Sequence, residues 1–362
     1  MRLEQTDLYH SGEHGYHTYR IPALVVSTTG TVLAFAEGRK YGRNDAGEID
    51  LLLRRSLDGG VNWEPRQVVV SRPGMTCGNP CPVVDHSTGT IWLPFCQNLA
   101  EGDETLICQG KAPRTIWLTH SQDDGRTWAE PQEITAQVKD PSWTWYATGP
   151  GHGIQLRGGR LLIPCDHIVG QYFDRWRDPY HSHVIYSDDH GANWQIGGIV
   201  AEGTNECAVA ELGDGTVYIN CRNYVGDKRR AVVPGRAVVP GRAVAWSRDQ
   251  GQTFSRFRWD DTLVEPICQA GLTQLPDPTR PDQRLILFAN PAGLTREKLT
   301  VRLSDDGGQT WPVAQLLHPG PAAYSDLAVT AEGTILCLYE CGRQGPYESL
   351  RLARFDLAWL RD

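Results

Sequence analysis

The chain has 362 residues, of which 40% are hydrophobic and 22% charged, and this composition excludes disordered and fibrous proteins. Its formal net charge is −8 at pH 7, which argues against a nucleic-acid partner because binding phosphates needs clustered excess Lys and Arg. No apolar run approaches the roughly 18 residues of a membrane-spanning helix, so we expect no membrane span.

The N-terminal sequence MRLEQTDLYHSG has neither the apolar stretch nor the small-residue cleavage site of a secretion signal, so we expect a cytoplasmic protein. The ten cysteines are scattered at a density far below that of a disulfide scaffold, and we interpret them as reduced packing residues. Cys77 and Cys81, like Cys337 and Cys341, lack the two-residue spacing of a structural zinc site. No metal site is therefore expected.

A short pattern, Ser-x-Asp-x-Gly-x-Thr/Asn followed by Trp or Phe, occurs five times with a period of about 60 residues. Each copy follows a β-rich run such as TIWLTHS, and its Asp and Gly favour a tight turn. The pattern therefore predicts five β-hairpin turns, whose closing aromatic residues pack between neighbouring strands. The copies are Ser56–Trp63, Ser121–Trp128, Ser187–Trp194, Ser247–Phe254 and Ser304–Trp311.

A unit of about 60 residues has room for four strands with their turns, and such units stacked radially form a β-propeller. Unmarked sequence at both ends leaves space for a sixth unit. The repeated pattern resembles the Asp box of sialidases, and this resemblance implies an all-β, six-bladed β-propeller that spans residues 1–362 as a single domain. The motif is informative about fold rather than chemistry, since non-catalytic proteins also carry it.

Segments outside the repeats bear on function. In chain order they are Tyr19–Leu24, Phe35–Arg39 with Asp45, Asn79–Pro82, Gly149–His152, Asn205–Cys207, Asn220–Arg222, Arg296, Ala323–Leu327 and Leu338–Glu340. They are similar to stretches of animal cytosolic sialidases and their bacterial relatives, and together they extend over nearly the whole chain. The resemblance implies a retaining exo-α-sialidase that needs no cofactor and acts on a sialylated oligosaccharide, glycoprotein or glycolipid.

A sialic acid carries a carboxylate on its anomeric carbon, and guanidinium groups bind carboxylates through paired hydrogen bonds. The resemblance implies that Arg20, Arg222 and Arg296 form such a carboxylate-binding cluster. It also implies that Glu340 holds Arg20 in place. Any one of these arginines, taken alone, is better explained by a surface ion pair, so the prediction depends on the matching positions of all three.

Sialidases depart from other glycosidases by using a tyrosine as the nucleophile. A carboxylate would be repelled by the carboxylate on the reacting carbon, whereas a neutral phenol is not. A phenol with a pKa of about 10 must first lose its proton to a base. The resemblance implies Tyr324 as nucleophile, Glu206 as its base, and Asp45 as the acid/base that protonates the leaving oxygen and later activates water.

The chain departs from the animal pattern at Pro164–His167, where those enzymes have paired tyrosines. We therefore expect Asp166 and His167 to bind substrate in a rearranged part of the site. Arg39 and Asn79 are further predicted substrate-binding residues. The type of sialic acid that is preferred is not predicted by these residues.

A hexapeptide, Arg-Ala-Val-Val-Pro-Gly, is duplicated over residues 230–241. Its prolines and glycines predict an extended arm or irregular hairpin rather than a central strand. Two hypotheses stay open for this segment. Either it contacts an acidic glycan or a neighbouring subunit, or it is a tolerated loop insertion without function.

Two further functions are alternatives to hydrolysis. A non-catalytic propeller that binds sialylated glycans would need the arginines but not a base-activated tyrosine, so the complete set of residues favours an enzyme. A trans-sialidase would share every catalytic residue, and it stays open as an alternative. The sequence makes no prediction of the oligomeric state.

Overall fold

The computed structural model describes residues 2–171, 180–224 and 241–362. Within these ranges the chain forms 25 strands and three short helices, which confirms the predicted all-β class. The helices are α1 (Glu104–Cys108), α2 (Thr135–Val138) and α3 (Leu357–Arg361). No helix in the described part is long and apolar enough to cross a membrane. The predicted arm formed by the duplicated hexapeptide lies, apart from its last glycine, outside the described residues.

The largest sheet contains the nine strands β2 (Thr18–Val26), β3 (Val32–Arg39), β4 (Ile49–Ser56), β5 (Gln67–Val70), β6 (Met75–Gly78), β7 (Val83–Val84), β8 (Ile91–Leu99), β9 (Thr115–Ser121) and β10 (Gln132–Glu133). Their order is β10-β9-β8-β6-β4-β3-β2, with β5 beside β4 and β7 beside β8. Strands β4 and β6 make a short parallel contact, whereas neighbours in sequence such as β2, β3 and β4 pair antiparallel.

Two smaller sheets follow in the chain. The first, in the order β11-β13-β14-β15 with β12 beside β13, contains β11 (Trp143–Thr148), β12 (Ile154–Gln155), β13 (Leu161–Val169), β14 (Tyr180–Ser187) and β15 (Gln195–Glu202). The second, in the order β16-β17-β18-β19, contains β16 (Thr204–Glu211), β17 (Val217–Asn223), β18 (Gly241–Ser247) and β19 (Ser255–Val264). Strands that are neighbours within each of these two sheets pair antiparallel.

The seven-stranded sheet joins the two ends of the chain. It contains β1 (Glu4–His10), β20 (Gly271–Asp277), β21 (Arg280–Pro291), β22 (Glu297–Ser304), β23 (Val313–Val329), β24 (Ile335–Cys341) and β25 (Ser349–Phe355). Strand β1 pairs antiparallel with β25, from Glu4 opposite Arg354 to His10 opposite Ser349. Strand β23 is long enough to pair with β22 along its first half and with β24 along its second.

The five repeated turns have one hydrogen-bond pattern. In the first copy the Ser56 hydroxyl donates to Asp58 Oδ1 at 2.8 Å and accepts the Gly60 N–H at 2.8 Å. Asp58 Oδ1 also accepts the Asn62 N–H at 2.8 Å. The other four copies repeat these bonds. Each copy joins two antiparallel neighbours, so the predicted hairpin turns are confirmed.

The closing aromatic residue of each turn packs into a different cluster of the hydrophobic core. Trp63, for example, contacts a cluster that contains buried side chains of β1, β2 and β25 rather than of its own hairpin alone. The aromatic residue thus packs the turn against a neighbouring group of strands, which confirms its predicted structural role. All ten cysteines lie within the described ranges, where they are buried in hydrophobic clusters of the core.

The repeated turns lie at one end of the strands, and most predicted site residues lie at the other. Strand β3 ends at Arg39, and β4 then runs back to the first turn at Ser56. Arg222 is the penultimate residue of β17, and β18 runs back to the fourth turn at Ser247. Antiparallel pairing therefore separates the turns from the candidate site by the length of a strand.

Three histidines and a tryptophan form a buried cluster within the sheet of β11 to β15. The His167 ring stacks on Trp143 with ring centroids 3.5 Å apart, and its Nδ1 lies 3.0 Å from His183 Nδ1. Burial, and to a lesser extent the neighbouring His181, lower the pKa of His167 to about 3. Burial likewise lowers the pKa of His183 well below its ordinary value. Both rings are therefore neutral in the folded protein at neutral pH.

This cluster predicts that stability falls as the pH is lowered through the ordinary histidine range. The unfolded chain takes up protons on His167 and His183 below about pH 6.5, whereas the folded chain takes one up on His167 only near pH 3 and on His183 only well below the ordinary histidine range. The free energy of unfolding should therefore decrease below pH 6.5, by up to about 1.4 kcal/mol per pH unit for each group.

Urea unfolding at pH 7, 6 and 5 measures this dependence. His183→Gln should make the slope shallower, and the exposed His14→Gln should leave it unchanged. An identical slope in wild type and His183→Gln would mean that other groups cause the acid sensitivity.

Candidate active site

A cavity of about 150 Å³ contains most of the residues that the sequence singles out. Nine of the eleven predicted site residues line it: Arg20, Arg39, Asp45, Asn79, Asp166, Glu206, Arg222, Arg296 and Tyr324. A groove of about 950 Å³ between the fourth and fifth repeated turns is larger, but none of the predicted site residues lines it. The chemistry of the lining residues, rather than volume, therefore identifies the smaller cavity as the candidate site.

Glu340 lies behind Arg20 and forms a buried ion pair with it. Arg20 Nε donates to Glu340 Oε1 at 3.0 Å, and Nη2 donates to Oε2 at 3.3 Å. The same carboxylate accepts the backbone N–H groups of Ile21 and Tyr324. Burial alone would lower the pKa of Arg20, but Glu340 and Asp45 raise it well above its ordinary value. Glu340 thus orients both the guanidinium of Arg20 and the backbone of Tyr324.

The Tyr324 phenol is hydrogen-bonded to a carboxylate and to an arginine. Its Oη donates to Glu206 Oε1 at 2.6 Å, although the two residues are 118 positions apart in the chain. Arg222 Nη1 donates to Glu206 Oε2 at 2.6 Å and to Tyr324 Oη at 3.0 Å. Burial and the Glu206 carboxylate raise the pKa of Tyr324 well above its ordinary value, although the nearby arginines act in the opposite direction. The phenol is therefore protonated at rest, with an acceptor for its proton already in place.

Arg296 completes the group of arginines around Tyr324. Its Nη1 donates to Tyr347 Oη at 2.6 Å, and its Nη2 donates to the Ile267 carbonyl at 3.3 Å. Its guanidinium carbon lies 5.5 Å from the centre of the Tyr324 ring, and that of Arg20 lies 4.9 Å away. The three arginines predicted to bind a carboxylate thus surround one phenol.

Asp45 approaches this group from the loop between β3 and β4. Its Oδ1 accepts from Arg20 Nη1 at 3.1 Å and lies 2.8 Å from Arg39 Nη1. Arg39 is itself held by Glu37, whose Oε2 accepts from Nε and Nη2 at 2.9 and 2.7 Å. Desolvation would raise the pKa of Asp45, but Arg39 and Arg20 outweigh it and lower the pKa below its ordinary value.

The opposite wall of the cavity is polar. Arg114 Nη2 donates to Asn79 Oδ1 at 2.6 Å, and its guanidinium lies 4.3 Å from the Trp145 ring. Trp145 Nε1 donates in turn to Asp166 Oδ1 at 3.0 Å. Asp166 is fully buried, and this burial together with the Glu206 carboxylate raises its pKa well above the ordinary value. A neutral Asp166 therefore orients the indole that lines the cavity.

Two predicted site residues do not line the cavity: Glu340 lies directly behind Arg20, whereas His167 lies away from the site. Successive residues of a strand face opposite sides of the sheet, so His167 points away from the side that Asp166 occupies. Its ring packs in the histidine cluster against Trp143, and only 1% of the residue is exposed. The expectation that His167 binds substrate is therefore corrected: in this structure it is a core residue.

Several cavity residues are absent from the sequence prediction. Glu37 had a signal, since it lies two positions before Arg39 and therefore on the same face of β3. Arg114 and Trp145 lie in segments without a recognisable motif, so nothing in the sequence singled them out. Tyr224 accepts from Arg222 Nη2 at 3.2 Å, and its place beside that arginine depends on the fold of β17.

The chain is similar to known proteins along nearly its whole length. Residues 30–337 match the family model described as a BNR repeat-like domain. A sialidase from Micromonospora viridifaciens is 34% identical over 371 residues, which cover 98% of this chain and 54% of that protein. Sialidase-3 from Bos taurus is 32% identical over 396 residues, which cover 93% of this chain and 89% of that protein. The chain thus spans about half the length of the bacterial relative and most of the bovine one.

The solved structure of a Hadza microbial sialidase has the same fold. It is 30% identical and superimposes with a TM-score of 0.84 over 98% of this chain and 69% of its own. These relatives are sialidases, a class of glycoside hydrolase, and the similarity to them extends over more than nine-tenths of this chain. The chain belongs to the sialidase family, so the predicted family and the prediction of a glycoside hydrolase are confirmed.

Proposed function

We propose that the protein is a retaining exo-α-sialidase that releases terminal α-linked sialic acids from oligosaccharides, glycoproteins or glycolipids. The observation that carries the proposal is the 2.6 Å hydrogen bond from Tyr324 to Glu206 at the centre of the arginine group. A protein that only binds sialylated glycans needs the arginines but has no use for a phenol paired with a base.

Substrate binding begins with the carboxylate of the sialic acid. Arg20, Arg222 and Arg296 present guanidinium groups around Tyr324, and together they can bind a carboxylate and hold the anomeric carbon near the phenol. Arg39 and Asn79 contact the substrate at the side of the cavity nearer β3 and β6. Asp166 contributes through Trp145 rather than by direct contact, because its carboxyl is fully buried.

The first chemical step forms a bond between Tyr324 Oη and the anomeric carbon. Glu206 takes the phenol proton while the bond to the leaving oxygen breaks, and that oxygen receives a proton from Asp45. In the second step Asp45 removes a proton from water, and the water oxygen displaces Tyr324, which regains its proton from Glu206. Two displacements at one carbon return the original configuration, so the enzyme retains the α anomer.

We further propose that residues 1–362 form one domain with the architecture of a six-bladed β-propeller. The strands of the four sheets divide into six consecutive groups of four when β23 counts in two groups and the pairs β6/β7 and β11/β12 each count as one strand, and this division supports the proposal. The sixth group combines the second half of β23 with β24, β25 and β1, so its last strand comes from the N-terminal end of the chain. Such a pairing closes a ring of blades.

Incubation with a fluorogenic α-sialoside, followed by NMR of the first sugar released, tests the proposed activity. We expect the α anomer to appear first and to convert slowly to the β anomer in solution. Release of the β anomer first would contradict retention, and release of no sialic acid from any α-sialoside would contradict the enzyme. A product that carries a new glycosidic or intramolecular bond would indicate transfer instead of hydrolysis.

Asp45→Ala should affect substrates according to their leaving groups. A general acid matters most when the leaving oxygen is basic, so kcat/KM for sialyl-lactose should fall by about 10²- to 10⁴-fold. For an aryl sialoside with an acidic phenol the loss should be smaller than about tenfold, because that oxygen needs no proton. Glu48→Ala on the same loop is the control and should change neither value. Equal losses on both substrates would assign Asp45 a binding role.

A further inference from the structure

Asp45 occupies the side of the arginine group from which a substrate carboxylate must approach. Glu340 accepts hydrogen bonds from Nε and Nη2 of Arg20. The remaining nitrogen, Nη1, is directed to the cavity. That Nη1 donates to Asp45 Oδ1 at 3.1 Å, and Arg39 Nη1 lies 2.8 Å from the same oxygen. The cavity-facing Nη1 of Arg20 is thus paired with a carboxylate of the chain itself. Nη1 of Arg39 lies beside the same carboxylate and also donates to the Arg43 carbonyl.

The position of Asp45 in an irregular, exposed loop allows its contact with Arg20 and Arg39 to break. It lies in the connection between β3 and β4, residues 40–48, which forms no regular secondary structure. Its side chain is 70% exposed, in contrast to the buried Arg20 and Arg39 that it contacts. Tyr41 in the same connection is 80% exposed. Moving Asp45 away from the arginines would therefore disturb few packing contacts.

We propose that Asp45 is a resident competitor for the carboxylate site, so that substrate binding exchanges the Asp45 carboxylate for that of the sialic acid. This inference depends on the proposed function, since it takes the arginine group to bind the substrate carboxylate. The exchange moves Asp45 from its contact with Arg20 to the leaving-group side of the bound sugar, where an acid is needed. Binding of the correct anionic ligand and delivery of the acid are thereby one event.

The charges around the cavity favour a substrate carboxylate that replaces Asp45 over one that binds beside it. Its five arginines are matched in formal charge by five carboxylates when the buried Asp166 is neutral, and Asp45 is one of the five. The carboxylates are Glu37, Asp45, Glu104, Glu206 and Glu340. A substrate carboxylate would add an unmatched negative charge to this enclosed group unless Asp45 leaves or becomes protonated.

The exchange also changes the protonation of Asp45. Arg39, Arg20 and Arg296 face Asp45 and hold its pKa below the ordinary value, while Glu37 and Glu340 partly neutralise the first two of these arginines. Once a ligand carboxylate takes the arginine contacts, the pKa of Asp45 rises and the group can take up a proton. Ligand binding should therefore be accompanied by proton uptake, which supplies the acid for the first chemical step.

Calorimetric titration with 2-deoxy-2,3-dehydro sialic acid, which carries the carboxylate but cannot be hydrolysed, tests the exchange. Asp45→Asn removes the competing charge and keeps the size of the side chain, so it should bind this ligand about three- to tenfold more tightly than wild type. Glu48→Gln, a charge removal on the same loop at a residue paired with Lys40, should leave the affinity unchanged. The methyl ester of the ligand should bind both proteins equally.

Titrations in two buffers of different ionisation enthalpy measure the protons exchanged. Wild type should take up a fraction of a proton on binding, and Asp45→Asn should take up none. Equal or weaker binding by Asp45→Asn overturns the exchange, as does an equal gain in Glu48→Gln. Failure of wild type to bind any sialic acid derivative would instead contradict the proposed function, so the two failures are distinguishable.

Discussion

Replacing Tyr324 with Phe should lower kcat by a factor on the order of 10³ or more, while the affinity for sialic acid changes by only about twofold. The substitution removes the one oxygen that can attack the anomeric carbon. It leaves Arg20 and Arg296 in place, because those guanidiniums contact the ring and other partners rather than the hydroxyl. The loss should therefore appear in kcat, with binding of a non-hydrolysable ligand nearly unaffected.

Tyr339→Phe is the matched control for this variant. Tyr339 is also a buried tyrosine, and its hydroxyl accepts a hydrogen bond from Gln5 outside the candidate site. Loss of that hydroxyl should cost some stability and leave kcat unchanged. Near wild-type kcat in Tyr324→Phe would mean that another group is the nucleophile, and a large loss of binding would mean that the hydroxyl mainly orients Arg222.

The parts of this molecule that depend on local contacts are predictable from the sequence. In each repeated turn the bonds join residues at most four positions apart, as between Ser56 and Gly60, so the pattern itself specifies the structure. The β-rich runs before the turns and the period of about 60 residues predict repeated units of strands in the same way. How the groups of strands are arranged is a property of distant contacts, and the sequence predicts it only through the resemblance to sialidases.

The candidate site depends on contacts between distant parts of the chain. Arg20 and Glu340 are 320 positions apart, and no spacing rule relates them. Each was identified by similarity of its surrounding segment, and the structure brings both to one place. Arg114 and Tyr347 have no such segment, and their roles appear only when the cavity is assembled.

His167 shows why a short sequence segment cannot by itself identify which of its residues line a site. The departure from the family pattern at Pro164–His167 drew attention to four consecutive residues, but a strand presents only alternate residues to one face. Asp166 therefore lies in the cavity wall, and His167 lies in the core with His183. The register of β13, which the sequence alone did not specify, decides between them.

The ion pair of Arg20 and Glu340 should dominate both stability and substrate binding at this site. Glu340 is fully buried, and Arg20 is 6% exposed. Glu340→Gln removes the buried charge that compensates Arg20 and leaves the guanidinium with the exposed Asp45 carboxylate as its ionic partner. Breaking such a pair costs about 3–5 kcal/mol, so the free energy of unfolding in urea should fall by that amount. KM should rise at least about tenfold, because Arg20 is no longer held toward the cavity.

A double variant separates the structural from the functional part of this effect. Replacing both partners, as Arg20→Met with Glu340→Leu, removes the two buried charges together, and such replacements are often neutral or stabilising. We therefore expect the double variant to regain most of the stability lost in Glu340→Gln. It should still fail to bind the sialic acid carboxylate, since the guanidinium is gone. Recovery of binding together with stability would show that Arg20 serves only the fold, and the carboxylate site would then have to be built from Arg222, Arg296 and Arg39.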